Sequence, residues 1–187
     1  MKKKKSQAFY RSVLILLLCG VGFMYSQSES VYQQVEEAVS ASIQQGVQVG
    51  QEALSFELTT LKGNQVDLED YLGQPVVINF FATWCHPCQE EMPVIVEMEK
   101  KLQEKGAAFL AVNMTSQERS KEEIRPFLQH YRASFDPLLD VDGEIMKKYQ
   151  IIGIPTTVVI DEQGMIVQRV NGGLTFELMQ DLVIFRE

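Results

Sequence analysis

The sequence predicts an α/β fold in which a mixed central sheet is flanked by helices on both faces. Two observations lead to this prediction. Continuous apolar runs that contain β-branched residues, such as VVINFF at residues 76–81, are typical of buried central strands. Segments predicted to be helical alternate with these runs, and the end of the chain adds a β-hairpin before a closing helix.

The predicted elements follow one another from residue 56 onward. Residues 56–61 and 65–68 flank Lys62-Gly63-Asn64 and are expected to form a small N-terminal hairpin. Apolar patterning and turn residues then predict a strand at 76–81, a helix at 87–105, a strand at 107–113, helices at 120–131 and 143–149, strands at 156–161 and 165–171, and a helix at 175–186.

The charge of the chain is unevenly distributed. Of its 187 residues, the first 25 include five basic residues and no acid, although the whole chain has a formal net charge of −8. The remainder holds 12 basic residues and all 25 acidic ones, which gives it a net charge of −13. Because phosphate would repel so acidic a domain, the sequence predicts no nucleic-acid binding.

Residues 1–25 are predicted to be a basic cytoplasmic tip followed by a transmembrane signal anchor. The apolar segment at 8–25 has about 18 residues, close to the ~20 that a spanning helix needs. The positive-inside rule places the rest of the chain outside, so we expect a single-pass protein of the cell membrane with an extracytoplasmic domain. A cleaved secretory peptide and lipidation at Cys19 are alternatives, but no small-x-small cleavage site is evident and bulky Leu18 precedes the cysteine.

Residues 26–52 are predicted to be a tether between the anchor and a domain at 53–187. Apolar residues recur there every four positions, which suits one face of a helix, namely at Val31, Val35, Val39 and Ile43. Gly46 and Gly50 then break the pattern. The segment is either an amphipathic stalk or a mobile linker, and the sequence leaves both open.

The strongest chemical signal is Cys85-His86-Pro87-Cys88 at a strand-to-helix junction. Proline is favoured in the first turn of a helix, so Pro87 places Cys85 at the helix N-terminus. Exposed N–H groups and the helix dipole at that end stabilise the thiolate, which is the nucleophilic form of cysteine. Cys88, about one turn further on, can close a disulfide with Cys85 or resolve a mixed disulfide formed by it.

Two other interpretations of the cysteine pair are weaker. Structural zinc needs four ligands, yet besides His86 the soluble part offers only His130 and no third cysteine, so no metal or other cofactor is predicted. An inert disulfide would close a loop of only four residues and would stabilise little. His86 either stabilises the thiolate as an imidazolium or is a solvated side chain, and both remain open.

Residues 84–93, WCHPCQEEMP, resemble the W-C-x-P-C-x-x-E-x-P pattern of the ResA/TlpA-like thiol-disulfide oxidoreductases. These are exported, often membrane-anchored members of the thioredoxin superfamily. The lead-in at 56–58 and at 76–83 is similar to the redoxin (AhpC/TSA) pattern, and residues 153–157, GIPTT, resemble the cis-proline loop of the family. The resemblance covers residues 53–187 and implies a thioredoxin-like fold.

The resemblance also implies roles for single residues. Pro155 would follow a cis peptide bond and face the cysteines, leaving polar groups of Ile154 free to bind an extended substrate. Trp84 would flank the site. From sequence alone, Pro155 could equally be a trans turn residue, and Trp84 could serve packing only.

Deprotonation of Cys88 needs a route that the sequence does not make obvious. Cytoplasmic thioredoxins have a buried Asp on the central strand, six residues before the first cysteine, where this chain has Asn79. An amide is no proton acceptor, so the family's glutamate, Glu91, or water is expected to take the proton. The alternative for Glu91 is a solvated acid on the face of the helix.

The predicted function is extracytoplasmic exchange of a Cys85–Cys88 disulfide or dithiol with protein thiols and disulfides. The family favours a reductase, for example in cytochrome c maturation, that receives electrons from a transmembrane or other extracytoplasmic donor. A thiol peroxidase is one alternative, but its P-x-x-x-[TS]-x-x-C pattern fails at Ile78 and Ala82. A non-catalytic module that binds peptides beside Pro155 is the other.

Overall fold

The structure is a computed structural model that describes residues 45–185. The predicted anchor at 1–25 and most of the predicted tether lie outside the described residues, so both stay predictions. Among the residues that are described, no helix is both long enough and apolar enough to span a bilayer.

Nine strands and four α-helices make up this part of the chain. The strands are β1 (Gln45–Gly46), β2 (Glu52–Ala53), β3 (Glu57–Thr59), β4 (Gln65–Asp67), β5 (Val76–Phe81), β6 (Ala108–Asn113), β7 (Leu138–Leu139), β8 (Thr156–Ile160) and β9 (Ile166–Asn171). The helices are α1 (His86–Glu104), α2 (Ile124–Tyr131), α3 (Glu144–Lys148) and α4 (Phe176–Gln180). Single 3-10 turns lie at Leu68–Tyr71, Thr115–Gln117, Lys121–Glu123 and Val183–Phe185.

Five strands form one mixed sheet in the order β7-β6-β5-β8-β9. Strand β5 pairs parallel with β6 and antiparallel with β8, while β7 extends the parallel half and β9 the antiparallel half. All six residues of β5 are buried, as the continuous apolar run predicts for a strand covered on both faces. The predicted mixed central sheet is confirmed.

The two faces of β5 pack against different helices, as predicted. Val77 belongs to a cluster with Met98 of α1 and Met179 of α4. Phe80 belongs to the other main cluster, with Ile145 of α3. Because successive side chains of a strand point to opposite faces, one short strand connects both halves of the core and fixes the start of α1 relative to them.

The N-terminal hairpin is also confirmed. Strands β3 and β4 pair antiparallel, with Leu58 opposite Val66. Gly63 in the connection has a φ of 95°, a left-handed conformation that glycine adopts without steric cost. An isolated bridge between Thr60 and Leu138 joins the hairpin to the end of the central sheet at β7.

The last residues of the predicted tether, 45–52, lie against the edge of the central sheet. The N–H of Gly50 donates to the carbonyl of Ile166 at 2.8 Å, and the N–H of Ile166 donates to the carbonyl of Gln51 at 2.8 Å. Val47 is only 2% exposed. This stretch therefore covers the edge at the start of β9 before the hairpin begins.

Two predicted helices are shorter in the structure. The predicted helix at 120–131 begins as a 3-10 turn, and α2 starts only at Ile124, because Pro126 has no N–H to donate within a longer helix. The closing helix, predicted at 175–186, ends at Gln180 and is followed by the 3-10 turn Val183–Phe185. The N–H of Leu182 donates to the carbonyl of Met179 at 3.2 Å, and this tighter bond ends the helix while both side chains stay buried.

Candidate active site

Cys85 is the N-cap residue of α1, and a loop of three residues separates it from Phe81, the last residue of β5. Its backbone is extended, with φ −79° and ψ 110°, and its sulfur accepts a hydrogen bond from the N–H of Cys88 at 3.3 Å. Pro87 lies in the first turn of α1. Backbone N–H groups in a first turn have no acceptor within the helix, so the missing N–H of proline costs no hydrogen bond there. The strand-to-helix junction predicted from the sequence is confirmed.

Cys85 and Cys88 form a disulfide, and their Cα atoms are 5.2 Å apart, within the usual range for such a bond. The two residues differ in access, since Cys85 is 4% exposed and Cys88 is fully buried. An incoming sulfur can therefore reach Cys85 first, and Cys88 only after a rearrangement.

The loop before β8 lies next to the sulfur of Cys85. The peptide bond between Ile154 and Pro155 is cis, as the family resemblance implies, and the alternative of a trans turn is excluded. The carbonyl oxygen of Ile154 lies 3.6 Å from the sulfur of Cys85. This loop brings a backbone acceptor next to the sulfur that faces solvent.

A groove of about 340 Å³ runs beside Cys85. Its lining is mostly apolar and consists of Trp84, Cys85, His86, Pro87, Met114, Gln117, Met146 and the loop residues Ile151, Ile152, Gly153 and Ile154. Trp84 is 45% exposed and Ile152 is 98% exposed. We call this feature the groove; it presents apolar side chains to solvent directly next to a disulfide.

Trp84 is held by a loop that sequence analysis did not identify. Its indole N–H donates to the carbonyl of Gln117 at 2.9 Å. Next to it, Glu118 accepts from the N–H of Thr83 at 2.7 Å, from the hydroxyl of Thr83 at 2.6 Å and from the side-chain amide of Asn113 at 2.7 Å. A carboxylate 33 residues beyond Cys85 thus fixes the approach to the active-site helix, and no local motif indicates it.

Glu91 is buried, with 2% exposure, one turn beyond Cys88 on α1. One carboxylate oxygen accepts from the side-chain amide of Asn79 at 3.0 Å, and the other accepts from the N–H of Leu174 at 2.8 Å. Burial raises the pKa of Glu91 to about 7, although both hydrogen bonds act in the opposite direction. The alternative of a solvated acid is therefore wrong.

Asn79 completes this set of polar groups. It is 1% exposed, and its amide nitrogen also donates to the hydroxyl of Thr157 at 3.1 Å. We call Asn79, Glu91, Thr157 and the N–H of Leu174 the buried polar cluster. The residue that replaces the aspartate of cytoplasmic thioredoxins is thus bonded directly to the carboxylate of Glu91.

His86 points to solvent at the rim of the groove. Its side chain is 77% exposed, and its Nδ1 atom lies 3.6 Å from a carboxylate oxygen of Glu90, one turn along α1. The contact is that of an exposed i,i+4 pair, which contributes little. In the described part of the chain, the His86 ring is therefore paired with the carboxylate of Glu90 and not with a cysteine sulfur.

No set of three or more His, Cys, Asp or Glu side chains within residues 45–185 is arranged to hold a metal ion. Asp140, in the acidic segment before α3, instead accepts from the N–H of Ile145 at 3.1 Å and of Met146 at 2.9 Å. Its role is to satisfy the free N–H groups at the start of that short helix.

Known proteins resemble this chain in sequence and in fold. The sequence model of the AhpC/TSA family matches residues 49–169. The thiol-disulfide oxidoreductase ResA of Bacillus thuringiensis is 34% identical over 179 residues, which cover 95% of this chain and 95% of that protein.

Two solved structures share the fold. The crystal structure of StoA from Bacillus subtilis has a TM-score of 0.60 at 27% identity and covers 68% of this chain and 95% of that one. A putative thiol:disulfide interchange protein DsbE from Chlorobium tepidum has a TM-score of 0.65 at 28% identity, over 75% of this chain and 100% of its own. The thioredoxin-like fold predicted from the sequence is confirmed. The chain therefore belongs to the AhpC/TSA family, and within it to the thiol-disulfide oxidoreductases that resemble ResA.

Proposed function

We propose that this protein reduces disulfides of extracytoplasmic proteins through Cys85 and Cys88. The observation that carries the proposal is the unequal placement of the two sulfurs. Cys85 lies at the N-terminus of α1 and borders the groove, whereas Cys88 is fully buried behind it. Such an arrangement suits a nucleophile that meets the substrate and a second cysteine that reacts only within the protein.

The exchange proceeds in two steps. The Cys85 thiolate attacks one sulfur of the substrate disulfide, so a bond between Cys85 and substrate forms while the substrate bond breaks, and the departing thiolate takes a proton from water. The Cys88 thiolate then attacks the sulfur of Cys85, closes the Cys85–Cys88 disulfide and releases the second substrate thiol. Two electrons pass from the protein to the substrate.

Glu91 is the proposed acceptor of the Cys88 proton. A general base works best when its pKa lies near the working pH, and burial raises the pKa of Glu91 to about 7. Asn79 cannot take the proton, but its amide orients the carboxylate through the 3.0 Å hydrogen bond. Glu91 lies three residues after Cys88 on α1, and residues at that spacing are neighbours on a helix surface.

The location and the electron supply are part of the same proposal. Residues 1–25 would anchor the chain, residues 26–44 would lead to the domain, and the domain would lie on the extracytoplasmic side. A transmembrane or other extracytoplasmic dithiol donor would reduce the Cys85–Cys88 disulfide again after each turnover. Apocytochrome c, whose Cys-x-x-Cys-His haem-attachment site can oxidise, is the proposed example of a substrate.

The experiment that tests the function is turnover of a protein disulfide, with insulin as substrate and dithiothreitol as reductant. The full chain, solubilised in mild detergent, is expected to accelerate insulin reduction, and Cys85→Ser is expected to abolish the acceleration, a loss of at least about 10³-fold. Consumption of hydrogen peroxide without insulin reduction would instead support a thiol peroxidase. Insulin binding without any acceleration of its reduction would support the non-catalytic module.

The direction of exchange is tested by the reduction potential, measured by equilibration with defined ratios of oxidised and reduced dithiothreitol. A value near or below roughly −270 mV, as for thioredoxin, would support a reductase. A value near roughly −120 mV, as for strong oxidants, would mean that the protein installs disulfides and would contradict the proposed direction.

A further inference from the structure

Ile152 is the most exposed large apolar side chain in the described part of the molecule, at 98%. A single exposed aliphatic residue is ordinary on a protein surface. Ile152, however, lines the groove together with Trp84 and Met146, three residues before the cis Pro155. Its exposure therefore continues an apolar surface that ends at the reactive sulfur.

The loop that presents Ile152 is tied down on both sides. The guanidinium of Arg169 on β9 donates to the carbonyls of Tyr149 at 3.1 Å and of Gln150 at 3.3 Å. After Ile152, the hydroxyl of Thr156 donates to the carbonyl of Gly153 at 2.8 Å. The exposed position of Ile152 is thus fixed by bonds before and after it in the loop.

Backbone groups of the same loop are free to bind a second chain. Within residues 45–185, the N–H and C=O of Ile152 and the N–H of Ile154 make no intramolecular hydrogen bond. The loop bends at residues 153–155, and its unpaired groups lie at the surface, where an added peptide strand can bond to them. A substrate strand there would place its cysteine near Ile154, whose carbonyl lies 3.6 Å from the sulfur of Cys85.

The register of such a strand determines what Ile152 would contact. Side chains two residues apart in a strand lie on the same face, about 7 Å apart. Ile152 and Cys85 line the same groove, so an extended substrate whose cysteine meets Cys85 presents to Ile152 the residue two positions from that cysteine. The residues that line the groove include no Asp, Glu, Lys or Arg, so apolar contact and not charge is what distinguishes one side chain from another at this point.

We propose that Ile152 is a specificity-determining residue that selects substrates with an apolar side chain two positions from the reacting cysteine. This inference rests on the proposed function, because it names the substrate class of the same site. The bonds made and broken are those of the two-step exchange, with the reduced protein as the reductant.

The test compares two disulfide-linked peptide homodimers that differ only at the residues two positions to either side of the cysteine, which are Leu in one peptide and Ser in the other. The reduced full chain, in mild detergent, is mixed with each peptide, and its oxidation is followed through the fluorescence of Trp84, the single tryptophan of the chain. Burial of such a side chain changes rates by about 10-fold or more, so we expect the wild type to react about tenfold faster with the Leu peptide.

Three substitutions distinguish an effect of Ile152 from a general effect of surface hydrophobicity. Ile152→Ser is expected to lose the tenfold preference, whereas Ile152→Leu is expected to keep most of it. Val141→Ser is the matched control, since Val141 is also an exposed β-branched residue, at 57%, and lies outside the groove. It is expected to keep the full preference. Glutathione disulfide, which has no strand to pair, reports the intrinsic reactivity of Cys85 and is expected to react equally with all four proteins.

The outcomes distinguish the inference from the function on which it rests. Equal rates with both peptides in the wild type would overturn the role of Ile152 while leaving the exchange activity intact. The same holds if Ile152→Ser keeps the tenfold preference. A wild type that reduces neither peptide nor glutathione disulfide would overturn the proposed function, and the inference with it.

Discussion

The groove and the buried polar cluster lie close to the same cysteine pair, and they differ in almost every physical property. The groove faces solvent, is lined mainly by apolar side chains and leaves backbone groups of Ile152 and Ile154 unpaired within the described chain. The cluster around Glu91 lies inside the protein, is polar, and has both carboxylate oxygens bonded. Every buried side-chain nitrogen or oxygen in residues 45–185 has a partner.

The difference indicates a division of work between the two regions. Free backbone groups and exposed apolar side chains can pair with another chain, so the groove suits recognition of a polypeptide. A buried carboxylate with a raised pKa exchanges protons near neutral pH, so the cluster suits the chemistry of Cys88. Changes in the cluster should therefore alter the response to pH, and changes at the groove should alter the response to the substrate.

The largest effect expected from the cluster is on stability. The pKa of Glu91 is about 7 in the folded protein and 4.5 without the protein environment, so folding favours the protonated form. The stability that this proton contributes is fully present below pH 4.5 and is lost as the pH rises through 7. The shift of about 2.5 pH units corresponds to about 3 kcal/mol.

Glu91→Gln isolates this contribution, because glutamine does not titrate. The measurement is denaturant unfolding of the oxidised domain, residues 45–187, at several pH values. At each pH, the free energy of unfolding of the variant is subtracted from that of the wild type. This difference is expected to fall by about 3 kcal/mol between pH 4.5 and pH 8. Glu90→Gln, at an exposed position beside it, serves as the control and is expected to give no such slope. A difference between wild type and Glu91→Gln that stays constant over this range would contradict the assigned pKa.

The next effect is on the rate of exchange. General-base catalysis contributes about 10²-fold or more, so Glu91→Gln is expected to slow the release of substrate by Cys88 by about 10²-fold. The first step, attack by Cys85, is expected to change little, because Cys85 lines the groove and Glu91 does not. Rapid-quench separation of the mixed disulfide from the product measures both steps. Slowing of the first step alone would contradict the proposal that Glu91 accepts the proton of Cys88.

The smallest effect is expected at the rim of the groove. The side chain of His86 is 77% exposed and lies beside Glu90, so solvent and that carboxylate weaken its field at the Cys85 sulfur. His86→Ala is expected to shift the reduction potential by less than about 30 mV, which corresponds to about 1.4 kcal/mol. A shift of roughly 60 mV or more would show that the imidazolium of His86 controls the reduction potential. The rim of the groove would then affect the chemistry of the thiols as well as the recognition of the substrate.

The sequence predicts those parts of the molecule that depend on short stretches of chain. The continuous apolar run of β5 predicts a central strand, and the hairpin of β3 and β4 follows from its turn residues. Cys85 and Cys88 are identified because their spacing and the following proline are local features. The cis bond before Pro155 follows from resemblance to a family and not from the residues alone, since proline by itself permits either isomer.

The remaining features depend on contacts between distant residues, so no local pattern reveals them. The hydrogen bond from Thr83 to Glu118 joins residues that are 35 positions apart in the sequence. The hydrogen bond from Leu174 to Glu91 joins residues that are 83 positions apart. Burial, and not residue type, raises the pKa of Glu91, so the sequence could not exclude a solvated acid. The packing of residues 45–52 on β9 likewise depends on a partner more than a hundred residues away.

The central claim is that Cys85 meets the substrate from the groove and Cys88 releases it from inside. Trapping tests this most directly. The full-length Cys88→Ser variant, reduced and mixed with a cysteine-containing peptide disulfide, is analysed by peptide mapping and mass spectrometry. We expect a stable adduct of one peptide on Cys85, and rapid release of the peptide in the wild type. An adduct that forms on Cys88 in Cys85→Ser at the same rate, or no adduct on Cys85 in Cys88→Ser, would contradict the account.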